Sequence, residues 1–149
     1  KNFKGLKYRQ QIIFENKNIL VINDSKSTSY ASSIEVLKNS ENIYWLLGGL
    51  PKKGDKFNLS KKYFKNIKGF IFGKNYKKFS ADLKKKIKLK KFSNLKKALN
   101  EVFRNISKDN STKKTILFSP AAASFDSFKN FEDRGSYFNK IIKNYLNAK

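Results

Sequence analysis

Three short stretches of this chain carry residue types suited to holding a small anion. The first is Asp24-Ser25-Lys26-Ser27-Thr28, which follows the apolar run 19–22 and leads into a helical pattern. Asp24 and Ser27 can cap that helix, whose free N–H groups and positive dipole end attract a carboxylate or phosphate beside Lys26. A capped helix with surface Ser and Lys explains the same spacing without a ligand. The second is Gly48-Gly49-Leu50-Pro51-Lys52-Lys53-Gly54-Asp55, directly after the apolar run 43–47. Paired glycines let the backbone turn sharply and a ligand come close, while Pro51 stiffens the loop presenting Lys52 and Lys53. An ordinary strand exit with surface lysines accounts for it equally well. The third runs over residues 119–135, where Ser119-Pro120 stops the apolar run 115–118 and three alanines and Ser124 follow. Such a small-residue loop can bring backbone N–H groups and a hydroxyl against a ligand. Phe125, Phe128 and Phe131 are assigned first to the core, although Phe131 can offer its N–H while its ring packs inward.

Other chemistries are excluded by composition. The chain has no Cys and no His, so it carries no disulfide, no thiolate metal site and no imidazole base. Any catalysis within it falls to Lys, Asp, Glu, Ser, Thr or Tyr, and no metal ligand set is expected. Gly69-Phe70-Ile71-Phe72-Gly73-Lys74-Asn75 has one spacer too few for a P-loop and puts Asn75 where a hydroxyl must reach the metal. It reads as a core strand ending in a glycine turn, so no triphosphate cradle is expected here.

The elements that must position these stretches follow from periodicity. The apolar runs 11–14 and 19–22 flank Glu15-Asn16-Lys17-Asn18 and read as a hairpin. Strand and helix then alternate: helix 27–37, strand 43–47, a short helix 59–67, strand 69–72, helix 75–86, strand 87–92, a helix opening at Ser93-Asn94-Leu95, strand 115–118 and a long helix 128–146. In the helix after Asn94, Leu95, Leu99, Val102 and Ile106 share one stripe. This alternation predicts an α/β sandwich with a mostly parallel sheet that starts from an antiparallel pair. A length of 149 residues fits one core. No apolar stretch nears the roughly 20 residues that cross a bilayer, and the first residues lack the pattern of a secretory signal. A soluble chain is expected.

The formal charge of +23 invites a nucleic-acid partner. Yet only Arg9, Arg104 and Arg134 among the 34 basic residues are Arg, whereas base-reading proteins lean on the Arg fork. The lysines are spread along the chain, often in helical runs such as Lys84-Lys85-Lys86. With abundant Asn, Ile and Phe, this matches the residue bias of an AT-rich genome better than a nucleic-acid surface.

Read together, Asn23-Asp24-Ser25-Lys26-Ser27-Thr28, the Gly48-Gly49 loop with its Lys, and Ser119-Pro120-Ala121-Ala122-Ala123-Ser124 with Phe128-Lys129-Asn130-Phe131-Glu132-Asp133-Arg134-Gly135 resemble the C-terminal domain of the Mur ligase family, in its D-glutamate-adding branch. Phe3-Lys4-Gly5-Leu6 and Tyr8-Arg9-Gln10 resemble the stretch where such enzymes leave their central domain, with Tyr8 where His is usual. The resemblance implies a Rossmann-like three-layer sandwich, with residues 1–9 a connector from a central domain and residues 10–149 the amino-acid-binding, closing domain.

It further implies part of a cytoplasmic, monomeric, ATP-dependent and ADP-forming ligase that adds D-glutamate to UDP-N-acetylmuramoyl-L-alanine in peptidoglycan precursor synthesis. ATP and Mg2+ would be held mainly by the central domain, so this segment alone would be inactive. By motif, Thr28, Lys52, Ser124 and Phe131 match positions that hold the carboxylates of D-glutamate. Arg9 and Asp24 match positions that contact the adenine nucleotide, with Lys26 near its phosphates; none is a nucleophile. The loop after Gly49 is longer than in some members, so Lys53 competes with Lys52. Ala122 stands where Cys is frequent and Phe125 where Leu is common. The alternatives are the closing domain of another Mur ligase and a basic α/β module that binds RNA.

Overall fold

The computed structural model describes residues 6–111 and 113–147; of the connector expected over residues 1–9, residues 1–5 lie outside this range. The elements run β1 (Gln11–Glu15), β2 (Ile19–Asn23), α1 (Tyr30–Lys38), β3 (Ile43–Leu47), a 3-10 helix (Lys61–Asn66), β4 (Ile67–Phe72), α2 (Tyr76–Leu83), β5 (Lys88–Phe92), α3 (Leu95–Ile106), β6 (Lys114–Phe118) and α4 (Phe131–Asn147). One sheet holds the strands in the order β1-β2-β6-β3-β4-β5. β1 is antiparallel to β2 and every other pairing is parallel. The hairpin turns because Asn16 Oδ1 accepts the N–H groups of Asn18 and Ile19, both at 2.8 Å, a side chain standing in for a backbone turn.

Alternation along the strands sorts side chains into two cores. On β3, Ile43, Trp45 and Leu47 face Tyr30, Val36 and Leu37 of α1 and Phe79 and Leu83 of α2. Tyr44 and Leu46 face the opposite way, toward Leu95, Leu99 and Val102 of α3 and Phe138, Ile141 and Ile142 of α4. A strand covered on both faces reads as a continuous apolar run, and all five residues of β3 are buried. The result is the expected three-layer α/β sandwich, mostly parallel with its antiparallel first pair.

Several boundaries differ from the sequence expectation, each for a physical reason. Helix α1 starts at Tyr30, not at residue 27, and its N-cap is Ser29, in a reciprocal capping box with Ser32. Asp24 and Ser27 are not its caps: Asp24 is taken by Ser119 and Gln10, and the Ser27 hydroxyl bonds the side chains of Ser32 and Ser33 and the Ala121 N–H instead of the free N–H groups of α1. The lysines 84–86 follow α2 rather than extend it, since α2 ends at Leu83. Helix α4 starts at Phe131, three residues later than the pattern suggests, with Asn130 Oδ1 accepting the Asp133 N–H at 2.7 Å. Phe125, assigned to the core, is instead 69% exposed, while Phe128 packs on Tyr137 with ring centroids 5.6 Å apart.

Candidate ligand-binding site

The three stretches meet because of strand order. β2, β6 and β3 are neighbours in register, Asn23 beside Phe118 and Phe118 beside Leu46. The chain leaves β2, builds β3, β4 and β5 to one side, and returns through α3 to insert β6 between β2 and β3. The loops after these strands therefore leave from adjacent carboxyl ends, where open α/β sheets bind ligands.

Backbone bonds join the loops directly. Asp24 N–H donates to Phe118 O (2.7 Å), Ser119 N–H to Leu46 O (3.2 Å) and Gly48 N–H to Pro120 O (3.0 Å). Leu50 and Ala123 exchange both of their backbone bonds, at 2.9 and 3.0 Å. The paired glycines serve this closure: a Cβ on Gly48 would lie 2.2 Å from Phe72 O, and one on Gly49 2.4 Å from Ala123 O. Their freedom lets protein backbone, rather than a ligand, come close.

Arg134 is 1% exposed and joins the first loop to the third. From α4 its Nε donates to Ser25 Oγ (3.1 Å), its Nη2 to Ser25 O (2.6 Å) and its Nη1 to Ala122 O (2.9 Å). Ser25 Oγ in turn donates to Phe131 O at 2.7 Å. Such a fork can grip several carbonyls in fixed directions, which Lys cannot. Burial pulls its pKa down to about 10 against the charges of Asp126 and Asp24, so it remains a cation at neutral pH.

Asp24 is the buried acid of the site. Its Oδ2 accepts from Ser119 Oγ (2.7 Å) and its Oδ1 from Gln10 N–H (3.0 Å). Burial pushes its pKa up to about 6, against the hydrogen bonds from Ser119 and Gln10 and the charges of Arg9 and Arg134. Ser27 Oγ accepts the Ala121 N–H at 3.2 Å and pairs with Ser33 Oγ at 2.8 Å, which stitches the first loop to the third. Tyr8, buried, lies against the backbone of Gly135, where a Cβ would come within 2.5 Å of its ring. Its carbonyl accepts the Lys26 N–H at 3.0 Å. The described residues before β1 are thus docked on the site and carry Arg9 to its mouth.

A cleft of about 430 Å³ opens here, lined by Arg9, Asp24, Lys26, Ser27, Thr28 and Ser32 among others. All three candidate nucleotide-binding residues, Arg9, Asp24 and Lys26, share it with Thr28. Lys26 Nζ lies 4.5 Å from the ring centroid of Phe131, which brings that residue alongside. Ser124 is buried one residue beyond the Leu50–Ala123 bridge, its carbonyl accepting the N–H groups of Ser127 and Phe128. Lys52 and Lys53 are exposed on the second loop and are not among the residues lining the cleft. The first N–H of α1, expected as an anion seat, is taken by a carboxylate of the chain itself: Tyr30 N–H donates to Asp55 Oδ2 at 2.7 Å.

Sequence reasoning assigned no role to Arg134, Ser119, Tyr8 or Asp55. For Arg134 a signal existed: in a chain that uses Lys almost everywhere, two of its three Arg residues, Arg9 and Arg134, stand at this site. The others carry no local mark, since their partners are remote in sequence.

No family model matches the chain. Over 143 residues, 96% of its length, the chain is 36% identical to "UDP-N-acetylmuramoylalanine--D-glutamate ligase" of Wolbachia sp. subsp. Brugia malayi (strain TRS), covering 28% of that protein. Against the protein of the same name in Rickettsia felis it is 37% identical over 97% of its length, covering 32% of the relative. In Agrobacterium fabrum the figures are 36% identity, 93% of this chain and 29% of the relative. The chain thus spans less than a third of the length of these relatives. With three ligand-type loops converging at the switch of a parallel sheet and this similarity along nearly its whole length, the chain belongs to the UDP-N-acetylmuramoylalanine--D-glutamate ligase family.

Proposed function

We propose that this chain is the amino-acid-binding, closing domain of an ATP-dependent ligase that joins D-glutamate to UDP-N-acetylmuramoyl-L-alanine in peptidoglycan precursor synthesis. The observation that carries the reading is the junction of three loops, those after β2 and β6 tied by Arg134 and those after β3 and β6 by backbone bonds, beside a cleft at the first loop with one buried acid and neighbouring cations. In this reading the complete enzyme works as a monomer in the cytoplasm. Among the described residues no helix is long and apolar enough to cross a membrane.

The reaction transfers the γ-phosphoryl group of ATP to the substrate carboxylate, giving an acyl phosphate and ADP. The amine of D-glutamate then attacks the acyl carbon, and phosphate leaves as the amide forms. The residues of this chain bind and orient rather than react. The Lys52 ammonium pairs with a carboxylate of D-glutamate, the Thr28 and Ser124 hydroxyls and the Phe131 N–H donate to its carboxylates, and the amine is held at the acyl phosphate. Asp24 takes the ribose hydroxyls of the nucleotide. Each of its oxygens already accepts one bond and keeps a further lone pair for this. Arg9 and Lys26 face the nucleotide and its phosphates, stabilising charge there. Among the described residues no group of three or more His, Cys, Asp or Glu is placed to hold a metal ion. In this reading the metal and the triphosphate are held by the rest of the enzyme.

The test uses the full-length protein with ATP, UDP-N-acetylmuramoyl-L-alanine and D-glutamate. Lys52→Ala and Ser124→Ala raise the KM for D-glutamate more than that for ATP, and residues 1–149 alone yield no product. Equal effects on both substrates, or product from the isolated chain, count against the reading. Preference for a different amino acid in a substrate-exchange assay would place the chain in another Mur ligase.

A further inference from the structure

The loop from β3 to β4 is pinned on both sides of its lysines. At its start, Leu50 and Ala123 exchange backbone bonds. At its end, Phe57 is buried, stacked on Trp45 at 5.7 Å and edge-on to Tyr30 at 5.5 Å. Between these anchors, Asp55 Oδ2 accepts the N–H of Tyr30, the first residue of α1, at 2.7 Å. A carboxylate is favoured there because the first N–H groups of a helix lack intrahelical partners and the dipole end is positive. The N–H of Asp55 donates back to Lys52 O at 3.1 Å, which closes the turn Lys52-Lys53-Gly54-Asp55. Gly54 has φ 75, as the third position of a type II turn requires. The Asp55 carbonyl also accepts from Lys78 Nζ at 3.2 Å.

These contacts separate the two lysines. Lys52 stands at the base of the turn, one hydrogen bond from a residue held on the start of α1, two positions after Thr28. Lys53 occupies the tip. We propose that Asp55 is a positioning residue that fixes Lys52, and not Lys53, as the lysine receiving a carboxylate of the incoming amino acid. The inference rests on the reading that this loop contacts D-glutamate. Released from α1, the turn would lose its side-chain tie beside Thr28, and the ammonium would spend less time in the productive position.

The experiment measures steady-state kinetics of the full-length enzyme carrying Asp55→Ala, Asp55→Asn, Lys52→Ala, Lys53→Ala and Asp55→Ala with Lys52→Ala. Asp55→Ala raises the KM for D-glutamate about tenfold and leaves that for ATP within about twofold. Asp55→Asn, which keeps an acceptor but not the charge, falls between. On the Lys52→Ala background, Asp55→Ala adds nothing further, because the two act through one ammonium. Lys53→Ala stays near the parent enzyme. Should Asp55→Ala lower the melting temperature too far to assay, Asp55→Asn decides. Unchanged KM for D-glutamate in both Asp55 variants, additivity with Lys52→Ala, or a larger effect of Lys53→Ala would overturn the proposal. No effect of either lysine substitution would instead remove the D-glutamate reading beneath it, and the proposal with it.

Discussion

The two ends of the sheet are both basic, and they are built in opposite ways. At the amino ends of β4 and β5 a cleft of about 630 Å³ is lined by Lys65, Lys68, Lys84, Lys85, Lys86 and Lys88. It is larger than the cleft beside the carboxyl end of β2, about 430 Å³, and none of the described residues lining it is acidic. Its lysines are exposed apart from half-buried Lys68, which rests over the Tyr44 ring at 4.8 Å. The carboxyl end instead buries Arg134 and Asp24, each held by hydrogen bonds from more than one loop. Charge alone therefore does not mark a site in this chain. What distinguishes one is charge taken out of water and fixed in place, which is tolerated only where partners are supplied.

That contrast is sharpest at Arg134. Arg134→Met removes the fork and leaves the Ser25 and Ala122 carbonyls without their donors, so equilibrium urea unfolding of the chain should register a loss of about 3 to 5 kcal/mol. A loss below about 1 kcal/mol would erase the difference between the two ends.

Asp24 provides a smaller, pH-dependent contrast. Its folded pKa of about 6 lies above the ordinary 3.8, so the folded state holds the proton more tightly than the unfolded chain does. The stability this contributes is complete below about pH 4 and is lost as pH rises through about 6, a change on the order of 3 kcal/mol. Asp24→Asn should flatten that part of the stability profile. Parallel profiles for parent and variant would show that burial does not govern Asp24.

The least effect is expected at the other end. Lys85→Glu should change stability by no more than about 0.5 kcal/mol and leave the KM for D-glutamate unaltered. An RNA affinity that falls steeply with salt and disappears in this variant would move the function to the amino end. An anisotropy titration with single-stranded RNA at two salt concentrations reads this directly.

How far the sequence reaches can be seen at particular residues. β3 was legible to the residue, because a strand buried on both faces shows as an unbroken apolar run. The hairpin was legible because its turn chemistry sits in Asn16 itself. The start of α1 was not. Asp24 and Ser27 carry ideal capping side chains, but Ser119, 95 positions away, engages Asp24, and Ser27 is shared between Ala121, 94 positions away, and the side chains of Ser32 and Ser33. Phe125 reads as core by type and stands in solvent, two residues past Ala123, whose backbone bonds to Leu50. Arg134 stood out as one of three Arg in a Lys-rich chain, but its role was not legible; its partners belong to one loop more than a hundred positions earlier and to one just before it.

Local pattern by itself determined the alternation of strands and helices, the two-faced burial and the polar composition of the three loops, since each depends on neighbours within a few residues. Tertiary structure decided which loops touch. Parallel pairing is set by how each crossover helix covers the sheet, and the apolar runs 19–22, 43–47 and 115–118 are chemically interchangeable as neighbours. Only the insertion of β6 between β2 and β3 makes Asp24, Gly48 and Ser119 adjacent, and only then can one guanidinium bind the loops after β2 and β6 together.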